Sequence, residues 1–383
     1  MRRARAERGR QQPHSLCPMQ GGGAQQGEGE SWARGPIPGW IARPLVPLYR
    51  AVITRRNRRF DARRGVVELD RPVISVGNLS VGGTGKTPMV AWLVGLLRGA
   101  GRDPAVAMRG YRAGPEGSDE ALEYAAEFTD LPVVARADRL SGLLDLFASE
   151  RGERVDVVVL DDGFQHRRIA RQLDIVLVDA TRSPFDGALL PAGWLREPVE
   201  SLGRAGAVVI THAGRVSGAA LTELRERLSR AAPGARIASC EHVWRGLRLH
   251  GGAGPGEEVP ASWLRGGRLV ACCAIGNPGP FLAGVRAQGA EVREMVLRDH
   301  DPFGAEAAGR LAALAREHGA RGIVVTGKDW AKLARYPAAA WPCPVAVPRL
   351  GLEFREGREG LERLALETAG LDLGRGESVA GEA

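Results

Sequence analysis

Residues 72–98, PVISVGNLSVGGTGKTPMVAWLVGLLR, decide how the chain is read. Val73–Val76 has the β-branched, apolar content of a buried strand. A glycine-rich loop follows, and Gly85-Lys86-Thr87 open an apolar helix over Pro88–Arg98. Strand, glycine loop and helix in that order are the context a phosphate-binding loop requires. Glycines let the backbone wrap around phosphate oxygens, and the helix N-terminus adds partial positive charge. The loop is expected to comprise Ser80, Val81, Gly82, Gly83, Thr84, Gly85, Lys86 and Thr87. Lys86 would reach the β- and γ-phosphates of ATP, and the Thr87 hydroxyl would ligate Mg²⁺. The usual pattern begins with glycine where this chain has Ser80. Septum-site and partition ATPases carry a lysine where it has Val81, which counts against that class.

Working outward, VDVVVLDDGFQHRR (155–168) supplies a second apolar strand ending at Asp161-Asp162. Alone, two aspartates read equally as a turn or a helix cap. Beside a phosphate loop they read as a Walker-B pair, one of them holding Mg²⁺ directly or through water. Gln165 is a further metal or water ligand, and His166 or the arginines after it can meet phosphate. Further strands at Ile175–Val178 and Ala207–Ile210, with a helix over Arg139–Ser149, predict an α/β fold. It is a P-loop NTPase-like, doubly wound, mostly parallel sheet. Beyond residue 232 the grain changes. An extended stretch over Ile237–Leu249 and a glycine-rich loop at 251–256 lead into a second α/β rhythm. Strands are expected at Leu269–Ile275, Val292–Val296 and Ile323–Thr326, with helices from Pro280 and over Gly304–His318.

The division predicted is a disordered extension over 1–35, a basic amphipathic membrane-associating segment over 36–66, and a P-loop kinase domain over 67–231. A smaller α/β domain over 232–368 would close the cleft, and 369–383 would be a disordered tail. Within WIARPLVPLYRAVITRRNRRF (40–60), Pro44 and Pro47 limit any helix to a short one after Pro47. Trp40 and Tyr49 beside arginines suit a peripheral element on an anionic membrane. A helix packed on the body with a solvated basic face fits the same residues.

The 383 residues are 44% hydrophobic and 26% charged, ordinary for a globular protein, with a formal charge of +8. That excess fits an anionic partner. No aromatic-basic pattern of the nucleic-acid type accompanies it, so nucleic acid is excluded as a partner. The cysteines (Cys17, Cys240, Cys272, Cys273 and Cys343) have no zinc-like spacing and fit a reducing compartment. The N-terminus lacks a signal-peptide apolar core, and no apolar run is long enough to cross a membrane.

Several short motifs then occur in a fixed order over roughly residues 40–335. They are VGNLSVGGTGKTP, RGY (109–111), SDE (118–120), LDDGFQHRR, LDIVLVDA, LLPAGWLREP, AIGNP and TGKDWAKL. In these the sequence resembles the tetraacyldisaccharide 4'-kinase family. The resemblance implies two α/β domains with a cleft, on the cytoplasmic face of the inner membrane. It also implies transfer of the ATP γ-phosphate, with Mg²⁺, to the 4'-hydroxyl of an acylated glucosamine disaccharide 1-phosphate, giving lipid IVA. The protein is expected to be a monomer.

By position, the resemblance makes Asp119 the catalytic base, with Glu120 beside it and His300 pairing with it. From the residues alone, Ser118-Asp119-Glu120 reads as a helix N-cap. A carboxylate suits the task, since a sugar hydroxyl is a poor nucleophile. Arg139 and Glu197 match positions for phosphate and metal contacts respectively. The chain departs from the pattern at Ser80, Met108, Ala121, Asp301 and Gly327. Two competing readings remain, a P-loop kinase or ATPase with a soluble acceptor, and a nucleotide-gated membrane-binding module.

Overall fold

The computed structural model describes residues 35–82, 84–110, 119–251, 256–299 and 301–372. The glycine-loop stretch folds as read. Strand β1 (Val73–Asn78) is buried at every position and runs through the loop into a helix over Lys86–Gly99. Parallel neighbours flank β1, with β4 (Val157–Asp161) on one side and β5 (Leu173–Asp179) on the other. Beyond β4 lie β2 (Pro104–Met108) and β3 (Val133–Ala135), and beyond β5 lies β6 (Ala207–Thr211). The chain therefore goes one way from β1 to β2 and the other way from β4 to β5. Its topological switch falls at β1/β4, where open α/β sheets bind ligands beyond the strand C-termini.

Both faces of this parallel sheet are covered, as continuous apolar strands require. On one face Ile74, Val76, Val106 and Val159 pack against Met89, Leu93 and Leu97 of the loop helix. On the other, Val176, Val178, Val208 and Ile210 meet Leu224 and Leu228 of the helix over Gly218–Ala231. The strands at Arg268–Cys273, Glu291–Val296 and Gly322–Val325 form as read, with helices at Gly279–Arg286 and Ala305–His318.

These later strands join the same sheet through a two-stranded ribbon. Strand β7 (Arg236–His250) pairs in parallel with β6 near its start, then antiparallel with a strand over Val345–Glu356 along nearly its whole length. The returning strand leads into a helix over Arg358–Thr368. Its Leu361, Ala365 and Leu366 pack in the cluster of the loop helix.

The N-terminal segment differs from its reading. Residues 39–61 are helical almost throughout, including α1 (Val46–Asp61), 16 residues long. Pro44 and Pro47 do not limit it, because each sits in the first turn of its own helical piece, where a missing N–H costs nothing. One face of α1 packs inward through Val46, Tyr49 and Ile53. Ile41, Leu45, Leu48 and Val52 form a second apolar face in solvent, with Trp40 81% exposed beside it.

Candidate active site

The carboxyl edge of the sheet collects the charged groups. The loop needs left-handed backbone at Gly82 (φ 117°) and Gly85 (φ 81°), where glycine is free of Cβ strain. Ser80 is not among the positive-φ residues, so the loop tolerates a side chain where the usual pattern has glycine. Its backbone is instead buttressed by the LLPAGWLREP segment. Val81 N–H donates to the Trp194 carbonyl (2.8 Å) and Arg196 N–H donates to the Leu79 carbonyl (2.7 Å). Gly83 lies outside the described residues.

Lys86 opens the loop helix, with Thr87 next to it. Its ammonium lies 3.5 Å from Asp162 Oδ1 and donates to Asn78 Oδ1 at 3.3 Å. Asp162 sits just past β4 in left-handed backbone (φ 50°), a strained position for a residue with a Cβ. Arg196 pairs with its other oxygen at 2.7 Å, and Arg139 donates to its carbonyl at 3.2 Å. Burial opposes ionisation of this carboxyl, but Lys86, Arg196 and Arg139 outweigh it and hold it below the usual carboxylate range. Burial in turn lowers the pKa of the Arg139 guanidinium, against the pull of Asp162 and Asp161.

Asp161, the last residue of β4, accepts a hydrogen bond from the buried Tyr124 hydroxyl at 2.9 Å. Tyr124 belongs to the helix over Asp119–Glu127, which Asp119 and Glu120 open. That helix packs against the one over Gly327–Leu333. A Cβ added at Gly327 would stand 3.0 Å from Glu123 Oε1, so the departure at 327 is matched by a carboxylate filling that space. His300 lies outside the described residues. Its neighbour Asp301 accepts from the Phe303 N–H (2.8 Å) and, through its carbonyl, from Lys332 (3.1 Å).

Gln165 joins the cluster. Its amide donates to the Asn78 carbonyl (2.9 Å), and its oxygen accepts from Arg196 (3.2 Å). The arginines after it turn elsewhere, Arg167 to Asp61 and the Asn57 carbonyl, Arg168 to Asp138. Burial, then the charges of Arg139, Arg171 and Arg168, push the His166 imidazole down to about 4. Glu197 is fully buried, and its carboxylate bonds to Asn57 (2.9 Å) and Arg204 (3.0 Å), not to a loop residue.

Sequence reasoning passed over Tyr124 and Arg196. Arg196 stood one residue before the position the motif singled out, and a salt bridge over 34 residues has no local signature. The Tyr124 bond to Asp161 spans 37 residues and is equally silent in sequence.

Hard oxygen donors suit Mg²⁺. Asp161, Asp162 and Thr87 supply them, and Asp162 Oδ1 is buried and accepts no hydrogen bond among the described residues. The set fits the ion. A phosphate loop and paired aspartates at the carboxyl edge of a doubly wound sheet place the chain among the P-loop α/β proteins.

The comparisons narrow that class. The model of the LpxK family, tetraacyldisaccharide-1-P 4'-kinase, matches residues 38–364. The chain is 42% identical over 287 residues to a tetraacyldisaccharide 4'-kinase of Geobacter metallireducens, covering 70% of this chain and 80% of that one. It is 37% identical over 361 residues to one of Anaeromyxobacter sp. strain K, covering 88% and 92%. Among solved structures it resembles LpxK from Aquifex aeolicus in complex with ATP. The TM-score is 0.66 at 29% identity, over 85% of this chain and 97% of that one. The chain belongs to the tetraacyldisaccharide-1-P 4'-kinase family.

Proposed function

We propose that the chain transfers the γ-phosphate of ATP to the 4'-hydroxyl of a tetraacyldisaccharide 1-phosphate, giving lipid IVA, a step of lipid A synthesis. The observation that carries this is the cluster of Lys86, Asp162, Arg196 and Gln165 at the loop, with Tyr124 tying the Asp119 helix to the adjacent Asp161.

In this reading Lys86 leaves Asp162 for the β- and γ-phosphates, the more highly charged partner. Thr87, Asp161 and Asp162 would hold Mg²⁺, with Gln165 a further candidate oxygen ligand. Bound there, Mg²⁺ neutralises charge on the transferring phosphoryl group. Arg139 and Arg196 offset charge on the same oxygens. Asp119 accepts the proton of the sugar hydroxyl, with Glu120 beside it and His300 orienting it. The ribbon through β7 gives the 268–325 strands a tether about which they can close and exclude water.

The acceptor is acylated, and the exposed face of Ile41, Leu45, Leu48 and Val52 is where the enzyme meets the membrane. Arg43, Arg55, Arg58 and Arg59 are exposed on the same segment and complement anionic headgroups. Among the described residues no helix is long and apolar enough to cross a membrane. We read the association as peripheral, at the cytoplasmic face of the inner membrane, by a monomer.

A comparison of acceptors tests the reading. Purified protein with ATP and Mg²⁺ is offered the tetraacyl disaccharide 1-phosphate in mild detergent or its deacylated, soluble counterpart. Strong preference for the acylated acceptor supports the proposal. Equal use of both favours a small-molecule kinase.

A further inference from the structure

Two side chains, from β6 and β7, grip the phosphate loop. Thr211, the last residue of β6, donates its buried hydroxyl to the Thr84 carbonyl at 3.3 Å. His242, on β7, sets its imidazole against Gly85 so closely that a Cβ there would overlap Nε2 and Cε1 of the ring. Gly85 is therefore glycine for two reasons, its left-handed φ and the ring against its Cα.

His242 is itself held from behind. Its Nδ1 lies 3.0 Å from His212 Nε2, with the rings tilted by 54°. His212 Nδ1 lies 3.2 Å from Asp179 Oδ1. That carboxylate also accepts from the Thr181 N–H (2.9 Å) and hydroxyl (2.7 Å), which fixes its place at the end of β5. His212 pays for its position with left-handed backbone (φ 54°), strain that clusters at functional sites. Burial opposes ionisation of Asp179, but the His212 and Thr181 bonds outweigh it and keep its carboxyl below the usual range. Burial, then the neighbouring His212, pushes the His242 imidazole down to about 4, so at neutral pH it meets the loop uncharged.

We propose that His242 is a positioning residue of the nucleotide site. Oriented by His212 and Asp179, it braces Gly85 in its left-handed conformation and so aims the loop N–H groups at the phosphates. The inference rests on the reading that ATP binds this loop.

The test uses the full chain, with ATP affinity measured by calorimetry and transfer by steady-state kinetics. For His242→Ala the Kd and KM for ATP are expected to rise about tenfold, with kcat changed no more than about threefold and the acceptor KM unchanged. His242→Gln, which keeps a polar group against both His212 and Gly85, should recover most of the affinity. His212→Asn, one step back in the chain, should lie between. A His242→Ala variant that binds ATP as wild type does, or loses kcat at unchanged KM, overturns the proposal. If that variant does not fold, wild-type affinity in His212→Ala overturns it instead. A wild-type chain that binds ATP no better than Lys86→Ala removes the underlying reading, and the inference with it.

Discussion

The Tyr124 hydroxyl donates to Asp161 Oδ2 at 2.9 Å, with both side chains buried. Through this bond the helix that Asp119 opens is anchored to the tip of β4, beside the phosphate loop. This bond is one of the contacts that set the proposed base relative to the metal site, beside the packing of the same helix on that over Gly327–Leu333.

Tyr124→Phe removes that bond without changing the ring. Leaving a buried carboxylate one donor short costs about 1–3 kcal/mol, and the Asp119 helix loses its fixed distance from the loop. The expected result is a lowered Tm and a fall in kcat, with the ATP Kd little changed. Thermal melts and steady-state kinetics check it, and unchanged kcat would remove Tyr124 from the positioning scheme.

Glu197 is tied to Arg204 and Asn57 rather than to the loop. Breaking a buried ion pair by removing one charge costs about 3–5 kcal/mol. Glu197→Gln should therefore destabilise the fold strongly while the Mg²⁺ dependence of any remaining transfer stays put. An Mg²⁺ titration shifted to higher concentration at unchanged Tm would make Glu197 a metal ligand.

Acidification should weaken the fold in a window set by partly buried histidines. Burial, then the charge of Arg248, holds His250 down to about 4, against 6.5 for an unperturbed imidazole. Between those values the unfolded chain binds a proton that the folded chain refuses. His250 thus contributes stability above about pH 6.5 that is lost as pH falls toward 4. His242 acts in the same direction. His250 stacks on Trp330 with ring centroids 4.1 Å apart, so His250→Gln tests the idea away from the loop. Its Tm should fall less steeply than wild type between pH 6.5 and 4, and identical slopes would contradict this.

The exposed apolar face predicts membrane binding. Leu48 is 66% exposed, so Trp40→Ala with Leu48→Asp should leave the Tm unchanged. Removing two apolar side chains from an interface should cut binding to anionic vesicles roughly tenfold or more. Cosedimentation measures it, and undiminished binding would move the membrane contact to another surface.

The sheet around the loop was legible because its signals are local. Val73–Asn78, the glycines and the apolar helix after Lys86 are contiguous, and the run ending at Asp161 is a buried strand by composition alone. The ribbon was not. The strand over Val345–Glu356 contains Pro348 and Gly351, residues that argue against a strand, and it pairs with β7 about a hundred residues away through a register shift at Arg349/Leu350. The helix expected after Pro47 is α1, which holds Pro47 in its first turn and is, at 16 residues, longer than the short helix expected there. The site divided in the same way. Lys86, Asp161 and Asp162 are singled out by their motifs, whereas Arg196 is the unremarked neighbour of Glu197 in its motif, and Tyr124 and His242 reach the site from distant segments.

Transfer of phosphate to the lipid is tested most directly by one labelling experiment. Protein, γ-labelled ATP, Mg²⁺ and tetraacyldisaccharide 1-phosphate are incubated in mild detergent, with Lys86→Ala alongside. The account predicts label in the lipid with wild type and none above background with Lys86→Ala. Label remaining in ATP or inorganic phosphate with both, although wild type binds ATP, would contradict it.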